Sequence, residues 1–241
     1  MPLDSSHLPL FSKCEMSVVV KRLLDWPSMC GRYRLTAKER YLRDHFGLDE
    51  DPPWQPRWNI APTQPVPTIR QHPSEPRRIF AIMRWGVVPY WAKDQSFGLK
   101  TINAMSETAA EKPAFRDALK RHRCLIPADG FYEWEKAGPK GKQAYNFGLA
   151  SGSVFAFAGL WDRSRDEKNN ILETCSILTT RPNALVADVN DRMPAILDPD
   201  DYERSITLFG ATLTFELGAS NAQPCGLTQL LELRLLTSWL L

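Results

Sequence analysis

Long apolar runs, paired cysteines and a large net charge are all missing from this chain of 241 residues. No stretch approaches the roughly 20 apolar residues of a membrane-spanning helix. Val18-Val19-Val20 is hemmed in by Glu15, Lys21, Arg22 and Asp25, which breaks any signal-like core. The Leu-rich end from Leu227 to Leu241 is short and carries Glu232 and Arg234. No membrane association is expected. The five cysteines, Cys14, Cys30, Cys124, Cys175 and Cys225, are odd in number and widely spaced, with no CxxC pair. That pattern excludes a disulfide framework and a zinc site, so neither metal nor other cofactor is expected. Reduced thiols in an intracellular protein fit it better. The net charge of +2 excludes a global field that draws the chain to nucleic acid.

What is present is the composition of a soluble globular protein, 43% hydrophobic and 24% charged. The length suits one sizeable domain or two small ones. Charge is unevenly placed: Gln71 to Ile126 holds ten Lys/Arg against five Asp/Glu, an excess able to supply phosphate contacts. Residues 1–28 lack a clear period and read as an extension or a mis-set start. Residues 29–204 form the candidate domain. Residues 205–241 are an atypical Leu-rich tail with only Glu216, Glu232 and Arg234 charged.

Within the domain, Thr36 to Phe46 predicts a helix, capped by Thr36 with Glu39 three residues later and ended by Gly47. Residues 49–67, rich in Pro and Trp, predict an ordered loop packed on rings. Val66–Arg70, Ile79–Trp85, Cys124–Pro127, Phe131–Trp134, Val154–Leu160 and Glu173–Leu178 read as strands, with a hairpin turn at Lys136–Lys142. A second helix is expected over Ala104–Arg121, broken near Pro113. The resulting fold class is α+β: a single domain with a mixed, mostly antiparallel, partly closed β-sheet flanked by a few helices.

The chemistry centres on Met29-Cys30-Gly31-Arg32-Tyr33. If translation starts at Met29 and that methionine is removed, Cys30 becomes an N-terminal 1,2-aminothiol. Its α-amine, with a pKa of roughly 7.7–8.0, is partly neutral near pH 7. A neutral amine adds to an aldehyde to give an imine, and the adjacent thiol closes a thiazolidine on it. Taken alone, Cys30 reads more simply as a buried structural thiol.

Further motifs change that balance. Trp58-Asn59-Ile60-Ala61-Pro62-Thr63, Arg84-Trp85-Gly86, Thr101-Ile102-Asn103-Ala104, Ser106-Glu107-Thr108, Cys124-Leu125-Ile126-Pro127, Gly130-Phe131-Tyr132-Glu133-Trp134, Phe157-Ala158-Gly159-Leu160-Trp161 and Arg192-Met193-Pro194 follow Cys30 in order. This set resembles the SRAP family (SOS response-associated peptidase, or abasic-site processing protein) from Cys30 to about Asp201. The resemblance implies a protein that binds single-stranded DNA and links covalently to abasic sites, with peptidase or lyase activity. It implies Cys30 as nucleophile, Asn103 as the residue placing the deoxyribose-derived part, and Glu133 as proton shuttle. Arg32 and Arg192 fall on phosphate-binding arginines, and Trp85 with Pro62 on a stacking wedge beside the lesion. A monomer is expected, with replication-associated partners. The expected location is the cytoplasm, at the nucleoid of a bacterium, or the nucleus of a eukaryote.

Two positions depart from the family pattern. Asn190 stands where the family usually has histidine, two residues before Arg192, so general acid–base exchange is lost there. Met105 stands where a phosphate-binding arginine is usual, although Lys100 is near in sequence. None of His7, His45, His72 and His122 stands at the missing position. These departures keep open a second reading, a catalytically impaired single-strand-binding paralogue. The Met-Cys-Gly start is also shared with amidotransferase-type N-terminal-nucleophile hydrolases, whose remaining motifs are absent.

Overall fold

The computed structural model describes residues 30–92, 94–135, 143–166 and 168–207. The expectations for residues 1–28, for the Lys136–Lys142 turn and for most of the tail lie outside the described residues.

In chain order the elements are β1 (Arg32–Leu35), α1 (Glu39–Phe46), β2 (Arg57–Ile60), β3 (Pro65–Gln71), β4 (Arg78–Trp85), a 3₁₀ segment (Gln95–Lys100), β5 (Asn103–Met105) and α2 (Arg116–Arg121). There follow β6 (Arg123–Ala128), β7 (Gly130–Glu135), β8 (Gln143–Phe147), β9 (Phe155–Arg165), β10 (Ile171–Thr180), α3 (Ala184–Ala187), β11 (Met193–Pro194), β12 (Ile196–Leu197) and α4 (Tyr202–Ile206). Strands β10, β4, β3, β6 and β9 pair in a ring, because β9 returns to β10 over Ile171↔Arg165 to Ile177↔Gly159. The sheet is therefore closed, and most of its pairings are antiparallel. A second, antiparallel sheet runs β2-β1-β7-β8.

Closure explains the strand sequences. Phe155 to Leu160 is apolar at every position, without the alternation of a half-exposed strand, and all six residues are buried. Small residues make room: a Cβ at Gly159 would lie 2.8 Å from the Cys124 sulfur. Tyr33 of β1 packs edge-on against Trp85 of β4 at 5.4 Å and Phe157 of β9 at 5.7 Å, tying the small sheet to the ring. Burying side chains of this size stabilises by roughly 1.5–3 kcal/mol each.

Three local expectations are corrected. The α1 helix starts at Glu39 after Lys38, because the Thr36 N–H and hydroxyl are held by Asp129 Oδ2 at 2.6 and 2.7 Å. Its end is as expected, at Gly47 in the left-handed region. The second helix shrinks to Arg116–Arg121. Asn103–Met105 instead extends alongside Ile177–Thr179 of β10, and Glu107-Thr108-Ala109-Ala110-Glu111 forms turns rather than a continuous helix. The Pro/Trp-rich stretch is not all loop: Arg57–Ile60 pairs with β1. Trp54 is buried there as expected, its indole N–H donating to Leu35 O at 3.3 Å.

Candidate functional site

Pairing places the site. Arg32 of β1 lies opposite Tyr132 of β7, which brings Cys30, just ahead of β1, beside Glu133. On the ring, β5 and β11 both pair with β10, at Asn103↔Ile177 and Met193↔Thr180. Asn103 and the 190–192 loop thus arrive at the same place from the other side.

Cys30 is 3% exposed. Asn103 Nδ2 donates to its carbonyl oxygen at 3.1 Å, and its thiol points at Arg192 O at 3.9 Å. Glu133 is 2% exposed; Asn190 donates to it, Cys30 lies close enough for its thiol and backbone N–H to favour the charged carboxylate, and its Oε1 has no hydrogen-bond partner among the described residues. The Asn190 bond measures 2.7 Å, from Nδ2 to Oε2, and Asn190 Oδ1 in turn accepts the Arg192 N–H at 3.2 Å. Burial pushes the Glu133 carboxyl up to about 7, against the opposing pull of Cys30 and Asn190. Burial and the Glu133 charge push the Cys30 thiol well above its ordinary range, with the Arg192 charge opposing. The resting thiol is therefore neutral. Glu133 is poised to take or give a proton near neutrality. Asn103 Oδ1 is buried without a hydrogen-bond partner among the described residues, an acceptor left for something else in the site.

The other sequence candidates are spread over three environments. Arg32 is half-buried at the rim, donating to Asn59 Oδ1 at 3.1 Å. Met105 is 41% exposed at the end of β5, two residues from Asn103 and so on the same side of that strand. Lys100 is exposed and shares an open hollow with Trp91 and Phe97. Pro62 is half-buried in a turn stitched to Trp85 by Thr63 N–H to Trp85 O at 2.8 Å.

Two expectations are corrected by burial. Trp85 is 1% exposed, its indole N–H bonded to Ile102 O at 2.7 Å. It supports the strand carrying Asn103 and offers no face to a base. Arg192 is not an open phosphate ligand: its guanidinium is 10% exposed and forks onto Glu107, Nη1 to Oε1 and Nη2 to Oε2, both at 2.8 Å. Among the described residues the exposed tyrosine and tryptophan rings are Tyr41 (46%), Trp58 (64%), Tyr90 (71%) and Trp91 (44%). Trp58 opens the Trp58–Thr63 motif, and Arg34 sits over its ring at 6.0 Å. Tyr90-Trp91 follows Pro89 in a segment without strand alternation, the signal that would have found it. Among the described residues no group of three or more His, Cys, Asp or Glu could hold a metal ion.

The family model described as SOS response associated peptidase (SRAP) matches residues 29–212. The chain belongs to the SRAP family. Abasic site processing protein YoqW of Bacillus subtilis is 43% identical over 176 residues, covering 72% of this chain and 78% of that protein. Abasic site processing protein HMCES of Rattus norvegicus is 32% identical over 237 residues, covering 78% and 67% respectively. Among solved structures, a Bacteroides thetaiotaomicron protein superimposes with a TM-score of 0.68 at 25% identity, covering 76% of this chain and 83% of that one. A Bordetella bronchiseptica protein does so with 0.65 at 28% identity, covering 74% and 88%. The SRAP fold is thus shared along the part of the chain that builds the site.

Proposed function

We propose that this chain captures abasic sites in single-stranded DNA through Cys30 as an N-terminal residue. The names of its relatives support abasic-site processing as the activity. The observation that carries the chemical reading is the placement of one buried carboxylate, Glu133, close to both the nitrogen and the sulfur of Cys30, with Asn190 bonded to its Oε2. In the encoded chain that nitrogen is an amide; it marks the place of the α-amine once residue 29 is gone. Methionine removal after a start at Met29, or cleavage after residue 29, produces it.

The steps balance as follows. The amine attacks C1 of the ring-opened sugar to give a carbinolamine, which loses one water to form the imine. The thiol sulfur then adds to the imine carbon while its proton passes to the nitrogen, closing the thiazolidine. Glu133 carries protons between sulfur, nitrogen and the departing oxygen. Asn103 holds the Cys30 carbonyl and offers its free Oδ1 to a sugar hydroxyl. Asn190 orients Glu133 but takes no proton itself. Its amide slows the proton transfers without removing the nucleophile.

The test uses single-stranded DNA bearing one abasic site, incubated with protein starting at Cys30, with its Cys30→Ser variant and with the full chain. A denaturation-resistant DNA-linked species, one water lighter than its parts, is expected from the Cys30 start alone. An equal yield from Cys30→Ser overturns the reading. Yield from the full chain signals cleavage after residue 29, which mass spectrometry of the protein reads directly. Stable DNA binding with no covalent product favours the impaired paralogue that Asn190 and Met105 suggest.

A further inference from the structure

Arg192 is the cation that acts directly on the Cys30 thiol, and its guanidinium is already engaged. Both ends meet the Glu107 carboxylate at 2.8 Å, and Nη2 also donates to Thr179 O at 2.7 Å. Within the pair the anion lies outermost: the Glu107 side chain is 30% exposed and that of Arg192 10%. The Glu107 backbone is held, since Ser106 N–H donates to Thr179 O and the N–H groups of Thr108 and Ala109 both donate to Met105 O. Rotation of the Glu107 side chain can therefore uncover Arg192 without moving the turn. A guanidinium fork that fits a carboxylate in this way also fits two oxygens of a phosphodiester.

Electrostatics favours an exchange. The Glu107 carboxylate caps Arg192, the cation acting on the thiol, and Asp191 adds a further negative charge next to it in the chain. A nucleic-acid backbone approaching Arg192 meets the Glu107 carboxylate first. Replacing Glu107 by a phosphate keeps one anion on Arg192 and sends the carboxylate into water, where hydration is restored. We propose that Glu107 is an internal competitor that occupies at Arg192 the place of a DNA phosphate, so that binding proceeds by carboxylate-for-phosphate exchange. The inference rests on the DNA reading given above and goes beyond it by assigning Glu107 a role in setting affinity.

Affinity for a lesion-free single-stranded oligonucleotide, measured by fluorescence anisotropy across a salt series, tests the exchange in the full chain. Glu107→Gln is expected to bind about tenfold more tightly at low salt, because close charge pairs couple strongly. Its log K against log salt slope should stay close to the parent's, because the exchange leaves the same phosphate on Arg192 in both proteins. Arg192→Gln should weaken binding, and the double variant should lose the gain. A folded Glu107→Gln protein that binds no tighter than the parent overturns the inference. Should that variant fail to fold, Glu107→Asp retains the charge but shortens the reach. Tighter binding by Glu107→Asp then supports the exchange, and unchanged or weaker binding overturns it. A parent chain that neither binds this DNA nor, when started at Cys30, links to an abasic site overturns the DNA reading itself. A parent that does both while the Glu107 variants show no gain overturns only the exchange.

Discussion

Replacing Glu133 by glutamine separates the charge of this residue from its shape. Glutamine keeps the size and an acceptor oxygen but cannot ionise. In the folded protein, burial raises the Glu133 carboxyl from its ordinary 4.5 to about 7. Between those values the native state holds a proton that the unfolded chain has released, so stability must fall as pH rises through this window. The stabilisation is complete below pH 4.5 and gone above about pH 7. Each pH unit of difference is worth about 1.4 kcal/mol, which makes the whole effect about 3 kcal/mol. Urea unfolding of parent and Glu133→Gln at pH 4.5, 6 and 8 reads this directly, because all other titrating groups cancel in the difference. Relative to the variant, the parent should lose about 3 kcal/mol between pH 4.5 and pH 8. A gap that stays constant over that range refutes the argument: Glu133 would then be ionised throughout in the native state, and its use as a proton carrier near neutrality would lose its basis.

Four further outcomes are expected. Asn190→His should accelerate crosslink formation, reversal, or both, within the roughly 10²–10⁴-fold typical of general acid–base assistance, as seen in single-turnover gels; unchanged rates in both directions would remove Asn190 from the account. Met105→Arg, on the exposed end of β5, should steepen the salt dependence of single-strand binding by about 0.7 in anisotropy titrations. Trp58→Ala should weaken single-strand binding by about 1–3 kcal/mol while leaving the melting temperature nearly unchanged, since that ring is 64% exposed. Trp85→Ala should do the reverse in thermal melts, costing about 3–5 kcal/mol of stability by emptying a buried site.

Strands were legible because their signals are local. Val66–Arg70, Ile79–Trp85 and Cys124–Pro127 carry β-rich runs bounded by breakers, and each lies within an observed strand. Gly47 ends α1 because a left-handed residue is needed there whatever surrounds it. Local propensity failed at Ala104–Arg121: its first residues pair with β10, some seventy residues away along the chain, and the helix is confined to Arg116–Arg121. It failed again at Thr36, whose capping oxygen was claimed by Asp129. Exposure was not legible at all: among the tryptophans, nothing along the chain says that Trp85 faces inward and Trp58 outward.

The sequence by itself determined the family, the identity of Cys30 as a potential aminothiol, and the two departures at Asn190 and Met105, since these depend only on which residue stands where. Tertiary structure alone decided what those residues experience. Strand pairing, acting across the whole domain, put Glu133 close to Cys30 and sealed it from water, which moves the carboxyl to about 7. The same pairing brought Glu107 onto Arg192 across 85 positions of chain, turning a presumed DNA contact into an occupied ion pair. Burial and partner choice are properties of distance in space, and one-dimensional spacing does not encode them.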